Sequence, residues 1–181
     1  MEDLCNLRFG VRVDQRGRIL RDFHTAHDRD GKSMPLSHRY YLSDALFVAG
    51  VEGPKQLIES LAQAIDRPKF PLYLGRRSCV PSAPVNLGVH EADLPDALRR
   101  CPWQAAPWYM RQQGAKVHLE LVLDAEASDT RDGMVRDVPI SFDPSGRSYG
   151  WRDITRPEPV IVDNPDGRHE TMDFLAVHGG A

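Results

Sequence analysis

The run Tyr73-Leu74-Gly75-Arg76-Arg77-Ser78 sets two adjacent guanidinium groups and a hydroxyl directly behind a glycine. Glycine lets the backbone come close to a ligand, and each guanidinium forks onto the oxygens of a phosphate. Tyr73 adds a ring on which a base can stack. Contacts of that kind suit the backbone and splayed bases of single-stranded RNA. The plainer reading is a solvated turn with two surface arginines beside a core tyrosine. Arg21 and His24 stand where a strand enters a long polar stretch, and Arg39 where the chain returns from it. His24-Thr25-Ala26-His27-Asp28 places two imidazoles three residues apart, but no further ligands or supporting partners lie in an obvious place, so neither a metal nor any other cofactor is implied. His24, His38, Tyr40 and Tyr41 are also raw materials for general acid–base attack by a 2′-hydroxyl.

Elements that position these residues can be read from periodicity. Leu7 to Val13 alternates apolar and polar, the pattern of a half-buried strand, and Asp14-Gln15-Arg16-Gly17 turns the chain into a second strand over Arg18–Phe23. Thr25 to Ser37 is polar, broken by Gly31 and Pro35, and reads as a long excursion. Tyr40 to Val51, apolar on both faces at Ala45-Leu46-Phe47-Val48, predicts one buried central strand. Gly53-Pro54 opens a helix carrying Leu57, Ile58, Leu61 and Ile65, which Pro68 ends. Leu72-Tyr73-Leu74 predicts a short strand stopped by Gly75. This order matches the latter half of a ferredoxin-like unit lacking its opening strand and helix, which would leave an exposed sheet edge and an uncovered face.

Beyond Ser78 the pattern loosens. Leu94 to Arg100 predicts a short helix, Trp103 to Tyr109 is aromatic and proline-broken, and Lys116 to Leu123 is a clear strand. Residues 125–137 read as an acidic loop, Tyr149 to Thr155 as a final strand, and the tail from Pro157 as poorly ordered in isolation.

A 181-residue chain with 41% hydrophobic and 27% charged residues is an ordinary globular composition. No apolar run is long enough to span a membrane, and the start lacks a signal-peptide pattern, so the expected address is cytoplasmic. Cys5, Cys79 and Cys101 are too few and too scattered for a disulfide framework and read as reduced thiols. The net charge of −3 argues against nucleic acid, yet residues 1–112 carry 16 Lys and Arg against 13 Asp and Glu, and 19 of the 23 cations are Arg. Arginine pairs with phosphate and stacks on bases as lysine cannot; GC-rich coding explains the same bias without function.

Four segments together resemble the Cas-five family of CRISPR-associated proteins, in the type I-E form called CasD. They are Phe9-Gly10-Val11-Arg12-Val13-Asp14, Leu20-Arg21-Asp22-Phe23-His24-Thr25, Arg39-Tyr40-Tyr41-Leu42-Ser43-Asp44-Ala45 and Tyr73-Leu74-Gly75-Arg76-Arg77-Ser78-Cys79-Val80-Pro81. The resemblance implies an α+β, modified ferredoxin-like domain over 1–90 with a thumb at about 24–40. A small β-rich extension over 91–156 and a flexible tail over 157–181 complete the expected organisation. It further implies a non-catalytic subunit of a Cascade antiviral complex that grips the 5′ handle of a CRISPR RNA. Its thumb would pack into the backbone subunit, the large subunit would lie beside it, and target DNA would be an indirect partner, with no membrane involved. Arg21, His24, Arg39, Tyr73, Gly75, Arg76, Arg77 and Ser78 are the RNA-binding residues this implies. The rival is a metal-independent endoribonuclease processing precursor CRISPR RNA, as in type I-C relatives. The family's opening strand and helix have no counterpart here, which implies a misassigned start or a genuine truncation, and marginal stability as a free monomer.

Overall fold

The alternation of β1 (Arg8–Gln15) holds, but along its second half the buried face is not the apolar one. Gly10, Arg12 and Asp14 are buried, whereas Val11 and Val13 are only half-buried. The computed structural model that reveals this describes residues 6–141, 143 and 145–168. Its remaining strands are β2 (Arg18–His24), β3 (Ser37–Ser43), β4 (Leu46–Glu52), β5 (Lys116–Asp124), β6 (Gly133–Ser141), β7 (Ser148–Thr155) and β8 (Val160–Asp163). The helices are α1 (Lys55–Asp66), α2 (Leu94–Arg100) and the single turn α3 (Pro107–Met110). Five strands follow the order β4-β1-β5-β7-β6, β8 pairs with β5, and β2 pairs with β3 in a sheet of their own. The α+β class is the expected one. No helix among the described residues is long and apolar enough to cross a membrane.

The chain divides into two compact units. The first comprises residues up to Val11, Ala49–Cys101 and Val122–Pro157. There Gly10 and Gly50 form a floor for α2: a Cβ on either would lie 2.5 Å from a leucine methyl, of Leu123 and Leu94 respectively. Leu94 and Leu98 are accordingly almost fully buried. The α2 helix begins where the Asp93 carboxylate accepts from the Asp96 N–H at 2.8 Å, and Arg99 and Arg100 end it in the favourable sense of the helix dipole. Asp124 at the end of β5 accepts from the Phe9 N–H at 2.7 Å and also meets Arg152 of β7. Asp137, at a bulge between β6 and β7, grips the same guanidinium at 2.7 Å through two nitrogens. That hydrogen bond, aided by the charge of Asp124, raises the Arg152 pKa above its ordinary value although partial burial opposes it.

The second unit comprises Arg12–Val48, Pro102–Leu121 and residues from Glu158 onward. Its centre is the fully buried pair of Arg12 and Asp14, joined at 2.7 Å. A buried charge pair persists only if its remaining donors and acceptors are satisfied, and the proline-broken segment after Cys101 does this. Arg12 donates to the Pro102 carbonyl at 2.9 Å, and the Gln104 N–H donates to the Asp14 carboxylate at 2.7 Å. The Trp103 indole N–H reaches the Asp14 carbonyl at 2.9 Å, and the Ala106 N–H reaches the Gln15 side chain at 3.1 Å. A segment with no strand or helix partner is thus held by β1 side chains, which explains why this face is polar.

Several expectations change. Tyr40 to Val51 is two strands, not one, because Asp44 takes φ 56° between β3 and β4 and the strands join different sheets. Of β4 only Val48 is buried, since β4 ends the strand order; Phe47 and Val51 are exposed. The expected helix is α1, bounded by Pro54 and Arg67, but its apolar face is only half-covered. Leu72–Leu74 is not a strand: the Leu74 N–H donates to the Cys79 carbonyl at 2.7 Å, closing a turn instead. The acidic loop is shorter than expected, as β6 starts at Gly133 by pairing with Ile154 of β7. Part of the tail is ordered, with β8 against β5 and Asn164 donating to the carbonyls of Met110 and Gly114. Residues 169–181 and Cys5 lie outside the described residues, while Cys79 is a free thiol.

Replacing Asp14 by Ala removes the carboxylate that joins Arg12 and Gln104, with an expected loss of about 3–5 kcal/mol. Urea unfolding checks it. Arg16→Ala, which breaks the exposed pair with Glu120, should leave the midpoint nearly in place.

Candidate nucleic-acid interface

In the first unit, the Leu74–Cys79 turn presents the cationic residues. Gly75 has φ 78°, a conformation that disfavours any side chain, and nothing lies within 4 Å of where a Cβ would stand. The Cys79 N–H donates to the Arg76 carbonyl at 2.8 Å, so the turn is tied at both ends. Tyr73, Arg76, Arg77 and Ser78 are all exposed; Tyr73 is half accessible and therefore not a core residue. Two arginines and a hydroxyl on an open, backbone-braced loop are placed to meet phosphate oxygens.

In the second unit, β2 and β3 pair without interruption from Arg18 opposite Ser43 to His24 opposite Ser37. Opposed residues share a face and neighbours alternate. One face therefore carries Arg18, Leu20, Asp22 and His24 with Arg39, Tyr41 and the two serines. The other carries Ile19, Arg21 and Phe23 with His38, Tyr40 and Leu42. The expected excursion from Thr25 to Ser37 is thus the connection at the tip of this hairpin, where the Asp28 carboxylate accepts from the N–H groups of Asp30 and Lys32 at 2.9 Å. His24 and Arg39 share a face, and Arg21 lies on the opposite one, its guanidinium 2.8 Å from Nε2 of His38. The second face is strongly apolar for an exposed surface: Phe23 is 64% and Tyr40 60% accessible.

Of the eight residues singled out from sequence, Tyr73, Gly75, Arg76, Arg77 and Ser78 belong to the first unit and Arg21, His24 and Arg39 to the second. Sequence reasoning missed a further feature of the second unit, a groove of about 470 Å³ at the root of the hairpin. Gln15, Gly17, Arg18, Asp44, Trp108, Tyr109 and Gln112 line it. The aromatic, proline-broken stretch from Trp103 to Tyr109 was its one visible signal; without periodicity, that stretch names neither an element nor a partner.

Comparison with known proteins bears on what this geometry serves. The family described as CRISPR-associated protein (Cas_Cas5) matches residues 2–155. Among solved structures, the chain is similar to one described as a CRISPR RNA-guided surveillance complex, with a TM-score of 0.64 and 28% sequence identity. That likeness covers 94% of this chain and 74% of the other, and it agrees with the modified ferredoxin-like α+β class expected from sequence. No curated protein matches.

Gly17 and Gly75 both have positive φ but differ in surroundings, which makes a discriminating pair of variants. At Gly17 a Cβ would meet the Ser43 carbonyl oxygen at 2.6 Å and the Ala45 nitrogen at 2.7 Å. Gly17→Ala is expected to lower stability well beyond the left-handed penalty of about 1–2 kcal/mol, whereas Gly75→Ala should show that penalty alone. Chemical denaturation of the two variants compares them directly.

Proposed function

The chain belongs to the CRISPR-associated Cas_Cas5 family, and from that premise we propose that it is a non-catalytic, RNA-gripping subunit of a CRISPR surveillance complex of the type I-E Cascade kind. The observation that carries the RNA contact is the braced turn in which Arg76, Arg77 and Ser78 stand exposed behind Gly75. Its ligand is the phosphate backbone at the 5′ handle of the guide RNA. The β2–β3 hairpin serves as the thumb. A two-stranded hairpin is marginal in water by itself, and its apolar face of Ile19, Phe23, Tyr40 and Leu42 suits burial against the backbone subunit. The large subunit and, through the guide, target DNA complete the partners, in the cytoplasm.

The absence of catalysis is supported by the arrangement of acid–base candidates. RNA cleavage through the 2′-hydroxyl needs a base and an acid converging on one linkage. His24 and His38 lie on opposite faces of the hairpin, so the two imidazoles do not meet on one linkage, although His24 shares its face with Tyr41 and His38 with Tyr40, and Arg21 approaches Nε2 of His38.

Arg76→Ala combined with Arg77→Ala is expected to weaken binding of handle RNA and to flatten its dependence on salt by about two phosphate contacts. Titrations at several salt concentrations measure both, and an unchanged affinity would remove these residues from the site. Purified protein incubated with precursor CRISPR RNA in EDTA should leave the RNA intact; specific cuts within the repeat refute the non-catalytic assignment.

A further inference from the structure

We infer that the groove at the root of the hairpin holds one unpaired nucleobase of single-stranded RNA, stacked on Trp108, with Arg18 taking the adjoining phosphate. This site rests on the chain being an RNA-binding subunit and adds a second point of contact distinct from the Arg76–Arg77 turn.

The groove, at about 470 Å³, falls within the size range of small-ligand clefts. Its shape is held by the polar latch on β1. Both ends of the Gln15 carboxamide are engaged, Nε2 donating to the Asp44 carbonyl at 2.5 Å and Oε1 accepting from the Ala106 N–H at 3.1 Å. The same latch carries the chain from Ala106 directly into α3, whose second and third residues are Trp108 and Tyr109. Trp108 is 44% accessible and stands edge-to-face against Tyr109, with centroids 5.8 Å apart. Tyr109 is in turn braced edge-on by Trp103, whose indole N–H is tied to Asp14. An accessible ring whose orientation is fixed beforehand is a good stacking surface, since little freedom is lost when a base arrives.

The remaining lining favours a nucleobase over an apolar side chain of a neighbouring protein. Arg18 lies 3.5 Å from Asp44, and Gln112 adds a carboxamide. Covering that ion pair and the carboxamide with hydrocarbon would strip them of water with no new hydrogen bonds in return, whereas a base edge offers donors and acceptors and its phosphate offers a second anion for Arg18. Arg18 also begins the hairpin face that bears Arg39 and His24. Arg39 stands opposite Asp22, roughly 14 Å further along the strand. A strand leaving the groove therefore finds a second cation on the same face.

The test uses the full chain and fluorescein-labelled single-stranded RNA octamers of adenosine and of uridine. Trp108→Ala is expected to weaken binding roughly five- to a hundredfold with the salt dependence unchanged, and Trp108→Phe to restore most of the affinity. Arg18→Gln should instead reduce the salt dependence by about one phosphate contact. Thermal melting of each variant separates these effects from misfolding, and if the alanine variant does not fold the salt dependence of Arg18→Gln decides, an unchanged slope removing Arg18 from the site. If Trp108→Ala and Trp108→Phe both bind like the parent while the Arg76 and Arg77 double variant is weakened, the groove is not a base site although the RNA-binding reading stands. An unaltered chain that binds neither octamer overturns both. Should Trp108→Ala keep its RNA affinity yet fall out of the assembled complex, the occupant is a protein side chain and the inference is wrong.

Discussion

Two charges enclosed on one face of β1, Arg12 and Asp14, govern the second unit. Removing both ions from water carries a penalty that their mutual attraction offsets only when every remaining hydrogen-bonding position is filled. Here the fillers are the Pro102 carbonyl and the Gln104 N–H, while the Trp103 indole ties the same segment to the Asp14 main-chain carbonyl. Pro102 and Pro107 deprive that stretch of two amide donors, and it forms no helix or strand before α3. Side chains of β1 thus do for it what a neighbouring strand does elsewhere. Its path then determines where Trp108 and Tyr109 stand.

The first unit solves a different problem with the same economy of parts. Two glycines on neighbouring strands leave room for leucine side chains of α2 to descend onto the sheet. Arg152 ties β7 to β5 and to the β6 bulge through Asp124 and Asp137. Its guanidinium also lies 5.5 Å from the centre of the Phe9 ring, so charge and aromatic surface are shared at one junction. Both carboxylates are engaged by Arg152, Asp124 half-buried and Asp137 still exposed to solvent.

Function follows from what is left outside. The hairpin has one face of Arg18, Arg39, His24 and hydroxyl groups that also carries Leu20 and Asp22, and another of Ile19, Phe23, Tyr40 and Leu42 that also carries Arg21 and His38. The proposed roles, an anionic strand on one side and a protein surface on the other, call for two faces, and strand pleating supplies both at no extra length. The turn after Tyr73 relies on backbone hydrogen bonds rather than on packing, which suits the proposed RNA contact.

Alternation, proline and glycine placement were enough to find β1, β2, α1, α2, β5 and β7, because those signals are local. The four family-like segments likewise pointed to the family that the match over residues 2–155 bears out. Local signals did not reveal that β1 buries its polar residues in the second unit, since the reason lies ninety residues away in Pro102 and Gln104. They did not separate β3 from β4, because one left-handed residue, Asp44, sends an apolar run into two sheets. Nor did they find the Trp108 groove. Residue type and spacing determined that arginines, aromatics and a glycine turn were available for RNA; only long-range hydrogen bonding and strand pairing decided which faces they share, because a side chain's direction is set by the partner its backbone finds.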